Sequence, residues 1–180
     1  MKIQKTTRLS FLFMSGDDKQ LLFELDQNPA VMKYVNKGKP TTWEQIETRF
    51  IPRLNAYRNL AKGWGLWQVN LSDTDEFIGW ILVRPANFFS EQRDDQNLEL
   101  GWRFKQEFWG KGYATEAAQA VMDALSTQPD VKKFSALAVP ENEGSIRIME
   151  KLGMEYVKTY THEDSGIREE VVYYQLKIKE

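Results

Sequence analysis

The sequence predicts a single α/β domain spanning residues 1–180, with helices flanking one mixed, mostly antiparallel central sheet. Three observations carry that expectation. Strand-like and helix-like segments follow one another in the order βααβββαβαββ, with no internal repeat, linker or low-complexity stretch. Short polar turns join two pairs of strands, which makes those pairs antiparallel hairpins. The length of 180 residues is enough for one core and short for two.

Residues 7–14 (TRLSFLFM) read as the first strand, followed by a turn at Gly16, Asp17 and Asp18. Asp17 or Asp18 is expected to cap a helix over residues 19–26, which Asn28 and Pro29 end. Thr41 and Glu44 form a capping box for a second helix, whose apolar stripe is Ile46, Phe50, Leu54 and Tyr57. Pro52 falls inside that stripe and is expected to kink or divide the helix. Residues 63–71 and 76–83 are two strands joined by SDTD, and residues 86–97 form a polar loop. Beyond the central stretch come a helix over 112–127, a strand over 134–139 ended by Pro140, and a helix over 142–152 closed by Gly153. Two last strands, 156–162 and 169–178, flank the turn at residues 163–166.

The chemistry concentrates in residues 97–118, NLELGWRFKQEFWGKGYATEAA. From Leu98 to Phe104 apolar and polar or small residues alternate, the period of a half-buried strand. Trp109, Gly110, Lys111, Gly112 and Tyr113 then make a glycine loop that lets backbone amides turn inward. From Ala114 onward Ala117, Ala118, Val121, Met122 and Leu125 mark one face of an amphipathic helix. A glycine loop feeding a helix N-terminus is an anion site, so this loop is expected to hold a pyrophosphate. A dinucleotide fingerprint fails at its third glycine, where Thr115 stands, and the P-loop pattern fails as well.

Composition narrows the alternatives. A formal charge of −2 argues against a nucleic-acid partner, whose phosphates call for a basic surface. With no cysteine there is no disulfide framework, no Cys-based metal site and no Cys acyl-enzyme. The one histidine, His162, reads as a surface residue at a strand end with no second ligand for a metal site, so no metal is expected. The N-terminus is too polar for a signal peptide and no run approaches a membrane span, so a cytoplasmic protein is the expectation.

Two segments together, WGKGYATEA at 109–117 and PENEGSIRIMEKLGM at 140–154, resemble the GCN5-related N-acetyltransferase (GNAT) superfamily. Within it the chain is most similar to the branch containing the ribosomal-protein alanine N-acetyltransferases. The resemblance implies the GNAT acyl-CoA N-acyltransferase fold and acetyl-CoA as co-substrate. It implies that the pyrophosphate sits on Trp109, Gly110, Lys111, Gly112, Tyr113 and Ala114, and that the strand at Trp102, Arg103 and Phe104 holds the pantetheine arm. Asn142, otherwise an N-cap, would bond the pantetheine, and Arg147 or Lys151 would meet the 3′-phosphate, unless both belong to a solvated face. Two positions depart from the family pattern: Glu107 replaces the usual Gln or Arg, and Met149 stands where many relatives carry an acidic Tyr.

The expected reaction is acetyl transfer from acetyl-CoA to a primary amine, a protein N-terminus or small amine, by direct attack in a ternary complex. Glu99 is the candidate base, acting directly or through a water; a solvated strand face accounts for it as simply. Ser145 is the candidate proton donor to the CoA thiolate, a role a water also fills. Acids at 91, 94, 95, 163, 164, 169 and 170 favour a cationic acceptor, a basic peptide or polyamine, although they fit an ordinary solvated surface equally. Edge strands and exposed aromatics are compatible with a homodimer. A non-catalytic CoA or acyl-CoA sensor is the alternative reading.

Overall fold

A computed structural model describes residues 1–178. Its centre is a seven-stranded sheet in the order β1-β2-β3-β4-β5-β7-β6. The strands are β1 (Leu9–Phe13), β2 (Gly65–Leu71), β3 (Phe77–Ala86), β4 (Asp94–Phe104), β5 (Lys133–Ala138), β6 (Glu155–Asp164) and β7 (Ile167–Lys177). Every neighbouring pair is antiparallel except β4 and β5. The expected fold class and the succession of strands along the chain are therefore those observed.

The alternation of β4 divides the molecule. Leu98, Leu100 and Phe104 face α5 (Tyr113–Ser126) and α6 (Glu143–Lys151), in a core with Ala117, Val121, Leu125 and Met149. Glu99, Gly101 and Arg103 face the opposite way, where Leu66 and Trp80 pack against α1 (Lys19–Leu25) and α4 (Ile51–Tyr57). The α5 stripe read from the sequence is buried from Ala117 to Leu125, with Ala114 half-buried at the helix start.

Differences from the sequence expectation gather in the N-terminal third. A helix not foreseen, α2 (Pro29–Asn36), begins where a helix stop was expected. Asn28 caps it by accepting from the Ala30 N–H, and Pro29 occupies the first turn, where its missing N–H costs nothing. Asp18 stands at the N-cap position of α1 but makes no side-chain cap bond there; its carboxylate accepts from the Ser15 N–H in the capping box of the short turn before the helix, which Ser15 caps. The capping box is Thr42 with Gln45, one residue later than expected, and it opens α3 (Trp43–Gln45). Thr41 does not cap this helix; its side chain is turned to Asp26, to which its hydroxyl donates at 2.7 Å. Between α3 and α4 the helix widens into a π segment, Ile46–Phe50, closed by the Ile51 N–H on the Ile46 carbonyl. That wide turn contains Thr48, whose carbonyl an ideal helix would drive into the Pro52 ring.

Candidate functional site

The site begins where the two parallel strands part. β4 and β5 pair at only three positions, Asn97–Lys133, Leu98–Phe134 and Glu99–Ser135. Beyond them β5 continues beside β7 as far as Ala138, while among the described residues β4 from Leu100 to Phe104 has no strand on that side. The exposed strand edge offers main-chain N–H and C=O groups to an extended ligand, the geometry of strand addition. A cleft of about 550 Å³ lies over this split, within the range of small-molecule and cofactor sites.

One end of the cleft is the glycine loop. Gly110 and Gly112 hold φ of 72° and 79°, values that side chains disfavour. Gly112 is the N-cap of α5 and has no side chain to supply a cap, so the first amides of a helix from Tyr113 to Ser126 are left for a ligand. Trp109, Tyr113 and Ala114 line the cleft beside the two glycines. Lys111 does not: its Nζ donates to the Glu107 carbonyl at 2.9 Å, outside the lining. Glu107 is exposed and also outside the lining, which keeps its carboxylate away from an anion.

Arg8 is a residue that sequence reasoning missed. Its Nη1 donates to the Lys111 carbonyl at 2.9 Å, its Nε to Glu116 at 2.7 Å, and its guanidinium stacks 4.3 Å over the Tyr113 ring. Burial works against the Glu116 charge, but hydrogen bonds from Thr6 and Arg8 outweigh it and hold the carboxyl below the usual range.

The other walls come from α6 and α2. Asn142 caps α6, its Oδ1 accepting from the Ser145 N–H at 3.2 Å, and both residues line the cleft. Trp102 crosses from β4 to this helix, its indole N–H donating to Ser145 Oγ at 3.2 Å. Arg147 and Lys151 line the outer end; Arg147 pairs with Glu143 at 3.1 Å on an open surface. Met149 is fully buried among core side chains and offers nothing to the cleft. From α2 come Ala30, Val31, Tyr34 and Val35, none singled out from the sequence. The signal was present: Asn28 followed by Pro29 is an N-cap and first-turn pair as much as a stop.

Arg103 and Phe104 also line the cleft, but the Arg103 side chain leaves it for the opposite face. There its Nη1 donates to Asp26 at 2.7 Å, in a pair with side-chain exposures of 14% and 4%. Glu99 lies on that same far face and does not line the cleft. Its Oε1 accepts from Arg84 at 2.8 Å, so the strand-borne charge is paired rather than solvated. Arg84, Glu99, Ser135 and Gln175 stand in one row across β3, β4, β5 and β7. In and beside that row Arg84 Nε, Ser135 Oγ and Asn97 Oδ1 are buried without a hydrogen-bond partner among the described residues. Burial, helped by the Glu99 charge, raises both the Tyr57 and Tyr160 phenols above their ordinary value, so both stay neutral beside the carboxylate.

A second cavity of about 410 Å³ shares Tyr34 and Val35 with the first and runs between α2, Val139 and Ile167. Its charges are mixed, Lys33 and Lys37 against Glu141 and Glu169. Four of the rim acids are already paired within the chain: Asp94 with Lys133, Asp95 with Arg93, Glu163 with Arg168, and Asp164 with Arg53. No helix among the described residues is long and apolar enough to cross a membrane.

The Bacillus subtilis protein YkkB, described as uncharacterized, is 35% identical over 156 residues, covering 86% of each chain. Two solved structures share the fold. RimL, a ribosomal alpha-N-protein acetyltransferase in complex with coenzyme A, superposes with a TM-score of 0.75 at 16% identity, over 99% of this chain and 98% of that one. The aminoglycoside acetyltransferase AAC(6')-Ib, in complex with coenzyme A, gives 0.73 at 21% identity over 94% of each. The acetyltransferase (GNAT) domain matches residues 8–155, and the chain belongs to that family.

Proposed function

We propose that this chain transfers an acetyl group from acetyl-CoA to a primary amine by direct attack in a ternary complex. The observation that carries the reading is the uncapped α5 N-terminus with its two left-handed glycines, set at the mouth of the β4–β5 split. The amides of Gly112 to Ala114 would take the pyrophosphate. The free edge of Leu100–Phe104 would pair with the pantetheine amides, and one of its N–H groups would polarise the thioester carbonyl. Asn142 has its Nδ2 free among the described residues and would bond the pantetheine; Arg147 would meet the 3′-phosphate.

Ser145 is the proposed proton donor to the departing thiolate. Because its oxygen already accepts from Trp102, its own proton is left to point into the cleft. Attack, collapse of the tetrahedral adduct and this proton transfer yield the amide and CoA–SH. Glu99 is the proposed base. Its Oε2 is unengaged among the described residues and would take the amine proton through a water, with the unpaired groups of Ser135 and Asn97 close by.

The demand on that base depends on the acceptor. A lysine amine with a pKa of about 10.4 costs roughly 4.6 kcal/mol to deprotonate at neutral pH, whereas an α-amine near 7.7–8.0 costs about 1 kcal/mol. An α-amine therefore suits a water-mediated carboxylate better. The mixed charge of the second cavity and the internally paired rim acids remove most of the electrostatic case for a polycation.

The test is CoA release from acetyl-CoA on a panel of peptide N-termini, lysine, polyamines and aminoglycosides, beside calorimetry with CoA. Turnover on at least one α-amine class is expected. The buried Met149, which leaves no Tyr hydroxyl at that position, favours one alternative, a CoA or acyl-CoA sensor. Tight CoA binding with no turnover on any amine would decide for it.

A further inference from the structure

The phosphate loop has little rigidity of its own. Gly110 and Gly112 have no side chains to restrict their torsions, and a Cβ at Gly110 would meet nothing within 4 Å. Something outside residues 109–114 must select the one conformation in which the amides converge. Residues 6–8 reach the loop and the first turn of α5 from more than a hundred positions away in the chain.

Peptide geometry shows how. Every peptide bond among the described residues is trans, so the Lys111 carbonyl and the Gly112 N–H point in opposite directions from one rigid plane. Arg8 Nη1 holds that carbonyl at 2.9 Å on the outer side of the loop, which turns the Gly112 N–H inward, toward the cleft that Gly112 lines. The same guanidinium is fixed by Glu116 in the first turn of α5 and stacked over Tyr113, and Thr6 donates to the other Glu116 oxygen at 2.6 Å.

We infer that Arg8 is a positioning residue for the phosphate loop, aiming the Gly112 N–H and the first α5 amides at the CoA pyrophosphate without touching it. The inference rests on the acetyl-CoA reading above. Arg8 does not line the cleft, and three of its five N–H groups face Lys111 and Glu116, so its effect passes through the loop.

The test is Arg8→Ala, with binding followed by calorimetry and turnover by thiol release. The dissociation constant for CoA and the KM for acetyl-CoA should each rise about tenfold while kcat at saturation is kept, the signature of lost ground-state binding. Dephospho-CoA, which keeps the pyrophosphate and lacks the 3′-phosphate, should lose the same factor. S-acetylpantetheine, with no phosphate, should react at the wild-type rate. Should Arg8→Ala fail to fold, Glu116→Gln carries the same comparison, since it loosens the guanidinium and leaves its stacking on Tyr113 in place. Unchanged CoA affinity overturns the inference alone, as does a dephospho-CoA affinity insensitive to the variant, which would mean direct contact with the 3′-phosphate. Equal losses with and without phosphate also overturn it, by showing a general structural defect. A wild-type chain that does not bind CoA overturns the acetyl-CoA reading and this inference with it.

Discussion

The two sides of β4 are built on different plans. On the α5 and α6 side, the proposed cofactor cleft is made mostly of backbone: a free strand edge, two left-handed glycines and uncapped helix amides. On the other side, side chains from distant segments meet around Glu99, with Tyr57 from α4, Arg84 from β3 and Tyr160 from β6. A backbone site tolerates change in most side chains but fails where φ is positive. A side-chain site responds to each single swap and so can be retuned one residue at a time. That contrast fits a common co-substrate on one side and a chain-specific acceptor on the other.

The largest effect should come from filling the backbone site. Gly112→Trp adds a bulky side chain at φ of 79° beside the α5 amides. CoA affinity should fall more than about 100-fold with the far-ultraviolet spectrum unchanged, a loss of roughly 2.7 kcal/mol or more. Wild-type affinity would sink the loop assignment and make both halves side-chain sites.

Next is the pair that fastens the two plans together. Asp26 is 3% exposed, takes hydrogen bonds from both Arg103 and Thr41, and so ties the α1–α2 connection to β4. Asp26→Ala leaves the Arg103 guanidinium largely buried and unpaired, at a cost of about 3 kcal/mol in denaturant titrations. A loss below about 1 kcal/mol would show that solvent reaches this pair and that α2 is held by other contacts.

Ser145→Ala is a smaller test, read in kcat. A proton donor to the thiolate should be worth about tenfold or more, with CoA affinity little changed. Trp102→Phe, which keeps the ring and removes the N–H, should give part of that loss, and none in the Ser145→Ala background. A wild-type rate for Ser145→Ala hands the role to water.

The same contrast explains what the sequence revealed. The backbone site is contiguous, 97–114 with 140–154, so its glycines, strand period and helix start could be read locally, and eleven of its thirteen singled-out positions line one cleft; Glu99 and Lys111 do not. The helix α2 was hidden because Asn28 and Pro29 serve equally as a stop and a start. The capping register of α3 was ambiguous in TTWEQ, and it was settled by Asp26 claiming Thr41, a contact 15 residues apart. Arg8 and Arg103 find carboxylates 108 and 77 positions away, and no local pattern encodes such partners. The acidic rim shows the same limit, since charge counted along the chain does not show which acids are already paired.

The smallest expected effect probes the side-chain half alone. Arg53 on α4 donates to Asp164 at 2.7 Å and to Ser165 at 2.8 Å, joining α4 to the β6–β7 hairpin near Tyr57 and Tyr160. Burial opposes the Asp164 charge, but the Ser165 hydrogen bond and the Arg53 and Arg84 charges outweigh it and hold the carboxyl below its ordinary value. A carboxyl depressed on folding stabilises above the ordinary carboxylate range, and that contribution is lost as pH falls through the lower folded value. The pair is partly exposed, so Arg53→Ala should cost no more than about 1 kcal/mol at neutral pH, with the difference from wild type shrinking in acid. In kinetics the KM for the amine should shift several-fold while the KM for acetyl-CoA stays put. Equal shifts in both would mean that the two sides of β4 answer to each other, and the division into a backbone half and a side-chain half would fall.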